Sequence, residues 1–201
     1  MAQSNPNNTP AIFLPLLRDL VGWWKNSHIT GIVIGGIAAS LLGRPRATRD
    51  IDALMILDTD QWPRVLQEAQ QFGFVPRLSD ALEFAMEARV LLLRHQPTAI
   101  DVDVTFGALP FEHEIIERAR HMSIEDVDLL LPAPEDLIIM KAIAHRPRDL
   151  NDIEAILDAQ PDLDLVRIRL WLNEFSSLME IPEIATDTEK LLRRYEENSP
   201  L

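Results

Sequence analysis

Between residues 11 and 27, apolar side chains recur at helical spacing (Phe13, Leu16, Leu17, Leu20, Val21 and Trp24), which predicts a helix with one buried stripe. A β-branched run bounded by glycines, Gly31 to Gly35, predicts a short buried strand. Ile37 to Leu42 follows as a short helix closed by Gly43 at its C′ position. Residues 49–57 alternate polar and apolar at first and then become wholly apolar, as in a strand running into a core. A helix from Asp60 to Gln71 tolerates Pro63 in its first turn and ends at Gly73. Ser79 to Ala88 reads as a short helix. Two strand-like runs, Arg89–His95 and Thr98–Phe106, flank a turn at Gln96-Pro97 and predict a hairpin. Then come a helix over Phe111–Arg120 and a strand over Val127–Leu131. Pro134 opens a helix to His145, with Glu135 and Asp136 at its positive end. Asp149 opens another to Ala159, and two more fill 162–178 and 182–197. Strands and helices mixed, then helices alone, give an α+β fold with a mixed sheet and a C-terminal helical region. The expected division is a disordered lead-in over 1–10, a core over 11–132 and the helical region over 133–201.

Composition narrows the function classes. The 201 residues suit one compact core with a helical appendage, and 47% hydrophobic content is ordinary for a globular protein. No apolar run approaches the roughly 18 residues of a bilayer span. The segment MAQSNPNNTP has neither a basic n-region nor an apolar h-region, so no secretory signal is expected there and the cytoplasm is the expected compartment. Without cysteine, disulfides, zinc–thiolate sites and thiol catalysis are excluded. A net charge of −13 gives little counterion release on nucleic acid, so extended DNA binding is not expected. The cations are clustered, however: Arg44, Arg46 and Arg49 in one stretch, Arg146 and Arg148 in another. Local basic spots on an acidic body suit a small polyanion such as a nucleoside triphosphate.

Four features carry candidate chemistry. Gly35-Gly36 stands at a strand-to-helix junction, where a backbone without side chains can approach phosphate at a helix N-terminus. Many such turns are only turns. Asp50 and Asp52 lie two apart in a strand, so both carboxylates share a face; they repel unless a divalent cation joins them, and Mg²⁺ takes carboxylate and phosphate oxygens together. The bland reading, a solvated strand edge, fits poorly with a segment that runs straight into Ala53-Leu-Met-Ile-Leu57. Asp101 and Asp103 repeat the pattern, and an acid from this second strand would complete a two-metal site or accept the proton of an attacking hydroxyl. Lys141 sits in an almost wholly apolar helix, Leu137 to Ala144, and must snorkel or meet an anion. His145 lies one turn further on. Asp149 and Asp152 follow, and capping the next helix would explain both.

In this order the features resemble the nucleotidyltransferase superfamily with the polymerase-beta-like fold: Gly-Gly after a strand, Asp-x-Asp, then an acid on a later strand. The stretches Gly35-Gly36-Ile-Ala-Ala, Gly43-Arg-Pro-Arg-Ala-Thr-Arg-Asp50-Ile-Asp52, Pro134-Glu-Asp-Leu-Ile-Ile-Met-Lys141 and Arg146-Pro-Arg-Asp149-Leu-Asn-Asp152 look most like AbiEii-type toxin nucleotidyltransferases and their uncharacterised relatives. The resemblance spans about residues 30–157. It implies a nucleotidyltransferase-like mixed sheet, Mg²⁺ or Mn²⁺, and an NTP as substrate. Asp50, Asp52 and Asp103 would be the catalytic metal ligands, Asp103 because it stands seven residues before Pro110-Phe-Glu, with Asp101 in reserve. Gly35, Gly36, Arg46, Arg49 and Lys141 would hold the nucleotide, and His145, Arg148, Asp149 and Asp152 are secondary candidates. The expected reaction moves an NMP from an NTP to a hydroxyl, with a tRNA 3′ end or a protein side chain as acceptor and a toxin–antitoxin context. The rival from another class is a catalytically silent nucleotide-binding or protein-interaction module. A phosphohydrolase is disfavoured by the Gly-Gly, then Asp-x-Asp order.

Overall fold

The computed structural model describes residues 11–198. The expected lead-in over 1–10 lies outside them. The chain divides into two compact units, one formed by the chain up to Ile37 with Ala47–Pro132, the other by Ala38–Arg46 with the chain from Ala133 onward.

The first unit is built on a five-stranded mixed sheet. After a 3-10 turn and helix α1 (Leu14–Asn26) come β1 (Gly31–Ile34) and α2 (Gly35–Leu42), within which the chain passes into the second unit. It returns for β2 (Asp50–Met55), α3 (Trp62–Gln70), β3 (Phe74–Pro76), α4 (Ala81–Ala88), β4 (Val90–His95), β5 (Ile100–Phe106), α5 (Pro110–Glu117) and a hairpin of β6 (Arg120–Ile124) and β7 (Val127–Leu131). The sheet order is β1-β2-β5-β4-β3, with only β2 and β5 parallel to each other. Ile51, Ala53, Met55, Val102, Val104 and Phe106 are all buried, on the sheet face opposite the acids. Trp62 of α3 stacks on Phe106, ring centroids 4.1 Å apart. Burial of each large apolar side chain stabilises by roughly 1.5–3 kcal/mol. Those residues fix the register of β2 and β5, because a slip of one residue would turn the whole set outward.

The second unit is helical: α6 (Pro134–Ala144), α7 (Pro147–Ala159), α8 (Leu165–Leu178) and α9 (Glu183–Asn198). Its core includes Leu137, Ile138, Ile139, Ile153, Ile156, Ile168, Leu172 and Leu192. Asp136, fully buried, accepts from Arg167 Nε at 2.7 Å, and the Asp164 N–H donates to Glu135 Oε1 at 3.2 Å. Both acids therefore tie α6 to the start of α8.

Several local expectations change. β3 and β6 carry no strand signal in the sequence. β3 is three residues long and ends in Pro76, which an edge strand accommodates because its N–H need not join a ladder. β6 is mostly polar and is a strand because it pairs with β7. That pairing ends α5 at Glu117 rather than Arg120. Gly43 is not a left-handed cap. A Cβ there would stand 3.0 Å from the α7 backbone at Ala155 and Ile156, so this glycine serves close helix packing. α7 begins at Pro147 instead of Asp149. Its cap is Arg146, and Asp149 reaches back to accept the Arg146 N–H at 3.3 Å. Among the described residues, no helix is long and apolar enough to cross a membrane.

Candidate active site

β2 and β5 run parallel in a register that sets Asp50 beside Asp101 and Asp52 beside Asp103. Aligned residues of neighbouring strands share a face, so the four carboxylates form a two-by-two array. Asp50 is exposed and the other three are half-buried. Thr48 Oγ1 donates to Asp50 Oδ1 at 3.1 Å.

β1 adds the glycine turn. Ile34 pairs with Asp52, and Gly35 immediately follows at φ +64°, a conformation glycine adopts without strain. A Cβ on Gly35 would fall inside the Asp52 carboxylate. The glycine and the second acid of Asp-x-Asp are thus one structural unit: only a residue without a side chain lets Asp52 lie across the start of α2.

The carboxylates feel one another. Burial pushes the Asp103 carboxyl up; Arg77 opposes this, and Asp52, Asp50 and Asp101 add to the rise. Arg77 follows β3 and spans the two acids of β5. Its Nη1 donates to Asp101 Oδ2 at 3.2 Å and its Nη2 to Asp103 Oδ1. Arg94 of β4 donates from Nη1 to Asp101 Oδ1 at 3.1 Å. Sequence reasoning missed Arg77, Arg94 and Thr48. Arg94 was findable, since it lies on the hairpin strand opposite Asp101. Arg77 was not, because nothing marked β3 as a strand.

Among the described residues, no group of three or more His, Cys, Asp or Glu side chains is arranged to hold a metal ion. On the β5 side, Arg77 holds Asp103. The donor set nevertheless fits a hard divalent cation. It offers carboxylate oxygens from neighbouring strands on one face.

The other expected residues divide between the units. Arg49 is exposed and, among the described residues, has no ion pair. Lys141 lies in the second unit, 4% exposed, with Nζ 3.0 Å from Asp149 and 2.8 Å from Asp152. Arg46 grips Asp152 with two bonds, Nε at 2.6 Å and Nη2 at 2.8 Å. Arg146 Nε donates to Asp149 at 2.5 Å. Burial pushes both carboxyls up, but hydrogen bonds from Arg146 and Lys141 to Asp149, and from Arg46 and Lys141 to Asp152, outweigh it and hold both below the usual range. From the sequence, the strand carboxylates or a bound triphosphate are the anions available to Lys141. In the structure the ion partners of Lys141 are Asp149 and Asp152, and Arg46 pairs with Asp152 as well. His145 ends α6 at φ +46°, with Nε2 3.3 Å from Asp187, and Arg148 is exposed.

Residues 23–198 match the model of a family described as nucleotidyltransferase of unknown function (DUF6036). The chain belongs to that family. Among solved structures, this nucleotidyltransferase is similar to the lincosamide antibiotic adenylyltransferase LnuA in a lincomycin-bound crystal structure, at 16% identity and TM-score 0.53, over 77% of this chain and 100% of that one. It is similar to the antibiotic-resistance factor ANT(2'')-Ia at 12% identity and TM-score 0.56, over 84% and 94%. An antigenic nucleotidyltransferase-like protein from Paracoccidioides brasiliensis matches at 15% identity and TM-score 0.56, over 91% and 93%. At such identities the likeness is one of fold. No curated protein matches the chain.

Proposed function

We propose that this nucleotidyltransferase moves an NMP from an NTP to a hydroxyl acceptor on the β2–β5 acid face, in the cytoplasm and with Mg²⁺ or Mn²⁺. The observation that carries the reading is the parallel register of Asp50 and Asp52 with Asp101 and Asp103, flanked by the Gly35 turn, where the Asp52 carboxylate takes the space a side chain would need. Asp50 and Asp52 would hold the cation. When bound, it would offset the repulsion between triphosphate and carboxylates and draw charge from the α-phosphate.

The chain's own residues do the rest. The Gly35-Gly36 backbone lets the β- and γ-phosphates approach the start of α2. Arg49, exposed beside Asp50, suits a phosphate oxygen. Asp103 Oδ2, which takes no hydrogen bond among the described residues, accepts the proton of the acceptor hydroxyl. The acceptor oxygen then bonds to the α-phosphorus, the bond to the β-phosphate bridge breaks, and pyrophosphate leaves.

The resemblance to AbiEii-type toxins favours a tRNA 3′ end or a protein hydroxyl, in a toxin–antitoxin setting. The names of LnuA and ANT(2'')-Ia point instead to small antibiotic hydroxyls. Each α-³²P-labelled NTP, incubated with Mg²⁺ and in turn with total tRNA, cell protein, lincomycin and tobramycin, tests all of these. Label should move onto one acceptor class, and not in EDTA. Transfer that survives EDTA would reject the metal role. A folded protein that moves no label onto any acceptor would leave the silent module as the better reading.

A further inference from the structure

The Arg77 fork bears on how many cations the acid face can take. Asp103 is the one acid of the array aligned directly with Asp52, so it is the natural third ligand for a second ion. Its Oδ1 instead receives Arg77 Nη2, and the same guanidinium reaches Asp101 Oδ2 at 3.2 Å. Arginine cannot shed its charge, and its planar fork suits two carboxylates better than a single-point cation does. The arrangement is held from more than one side. The Arg77 N–H donates to the Leu92 carbonyl at 2.9 Å, which continues the β3–β4 ladder and fixes where the side chain starts. Asp101 is also held by Arg94, so the partner anchoring Arg77 is itself fixed. Arg77 is only 27% exposed at its side chain, against 49% for Arg94.

We infer that Arg77 occupies the second-cation position of this active site, so that the protein binds one divalent ion, on the β2 acids, and Asp103 serves as a proton acceptor rather than a metal ligand. The inference rests on the proposed metal-dependent transfer at this face. Arg77 is then a positioning residue. It holds Oδ1, leaves Oδ2 turned to the acceptor, and repels a second ion by charge. No bond is made or broken at Arg77.

The test counts ions. Mn²⁺ bound per chain is measured by electron paramagnetic resonance with a saturating α,β-methylene NTP analogue, its base being the one the transfer assay selects. The wild-type chain should bind one ion. Arg77→Gln should bind two, the second lost again in Arg77→Gln/Asp103→Asn. Arg77→Lys, which keeps the charge, and Arg94→Gln, which takes from Asp101 one of its two arginines and leaves Asp103 held, should both stay at one. Two ions in the wild type, or one in Arg77→Gln, would overturn the assignment while leaving metal-dependent transfer intact. A second ion in Arg94→Gln would overturn it too, by showing that any lost charge suffices. No bound ion in a wild-type protein that still transfers would instead remove the metal reading beneath it.

Discussion

Asp50, Asp52, Asp101 and Asp103 lie exposed or half-buried on one sheet face, whereas Asp149 and Asp152 are 0% and 5% exposed in the helical unit. Both groups sit near arginines, and both follow motifs that resemble the same superfamily. What separates them is how charge is met. Around Asp149 and Asp152, Lys141, Arg46 and Arg146 supply direct ion pairs to each oxygen pair, and the two carboxyls are held down. On the sheet, burial raises the Asp103 carboxyl, Arg77 opposes this, and the neighbouring Asp52, Asp50 and Asp101 add to the rise. A buried acid with its cations is a piece of architecture. A solvent-facing acid whose neighbours are acids is poised for a cation or a proton.

The largest effect that could break this contrast is catalytic. Asp50→Asn/Asp52→Asn should lower transfer by roughly 10³-fold or more, since it removes the oxygens proposed to hold the cation at the reacting phosphate. The melting temperature should stay level or rise, because repulsion is relieved. A large loss of stability together with activity would mean the strand acids are structural after all.

Lys141→Met probes the other side. Removing the amine leaves two buried carboxylates short of a partner, which costs about 3 kcal/mol, the low end for a broken buried pair because Arg46 and Arg146 remain. Urea unfolding measures it. The sequence alone suggests the opposite, a variant as stable as the parent with weaker NTP binding, because it offers Lys141 no buried partners. The pH dependence has a defined sign. Asp149 and Asp152 have folded pKa values below the unfolded ones, so their contribution is complete above the ordinary carboxylate range and is lost as pH falls through the folded values. Asp103 has the reverse sign, costing stability at neutral pH and ceasing to do so once protonated. Acid unfolding should therefore flatten in Asp149→Asn/Asp152→Asn and persist in Asp103→Asn.

Gly35→Ala should cost roughly 1–2 kcal/mol from its positive φ alone, and more if Asp52 cannot shift. Its sharper consequence is displacement of the Asp52 carboxylate. A crystal structure of the variant would show it, and an unmoved Asp52 would unlink the glycine turn from the acid pair.

The sheet site was legible because strand periodicity is a local rule. Two acids two residues apart must share a face, in β2 as in β5, whatever else the fold does. What could not be read was which residues lie across the ladder. Arg77 meets Asp103 through a strand of three residues with no pattern of its own. Lys141 and Asp149, eight apart on two helices, meet only because α6 turns sharply at His145, a left-handed residue without the usual glycine signal. Arg46 and Asp152 are over a hundred positions apart, beyond any periodicity. Local spacing reveals faces; charge pairing needs the tertiary structure.

The smallest expected effect separates the two acids of β5. Asp101 is gripped by both Arg77 and Arg94, and its strand neighbour is Asp50, the outermost of the array. Asp103 has Arg77 alone and stands beside Asp52, the acid that meets the Gly35 turn. Asp103→Asn removes the proposed proton acceptor and should slow transfer by roughly 10²-fold or more. Asp101→Asn removes only one anchor of Arg77, which still holds Asp103, so transfer should fall a few-fold at most. Arg94 would be released to solvent, and as an exposed ion pair its loss should change stability by less than about 1 kcal/mol. Steady-state kinetics on both variants decide the matter, with KM and kcat read separately. If Asp101→Asn is the slower enzyme in kcat, the roles are exchanged and the acceptor must approach from the Asp50–Asp101 end of the face.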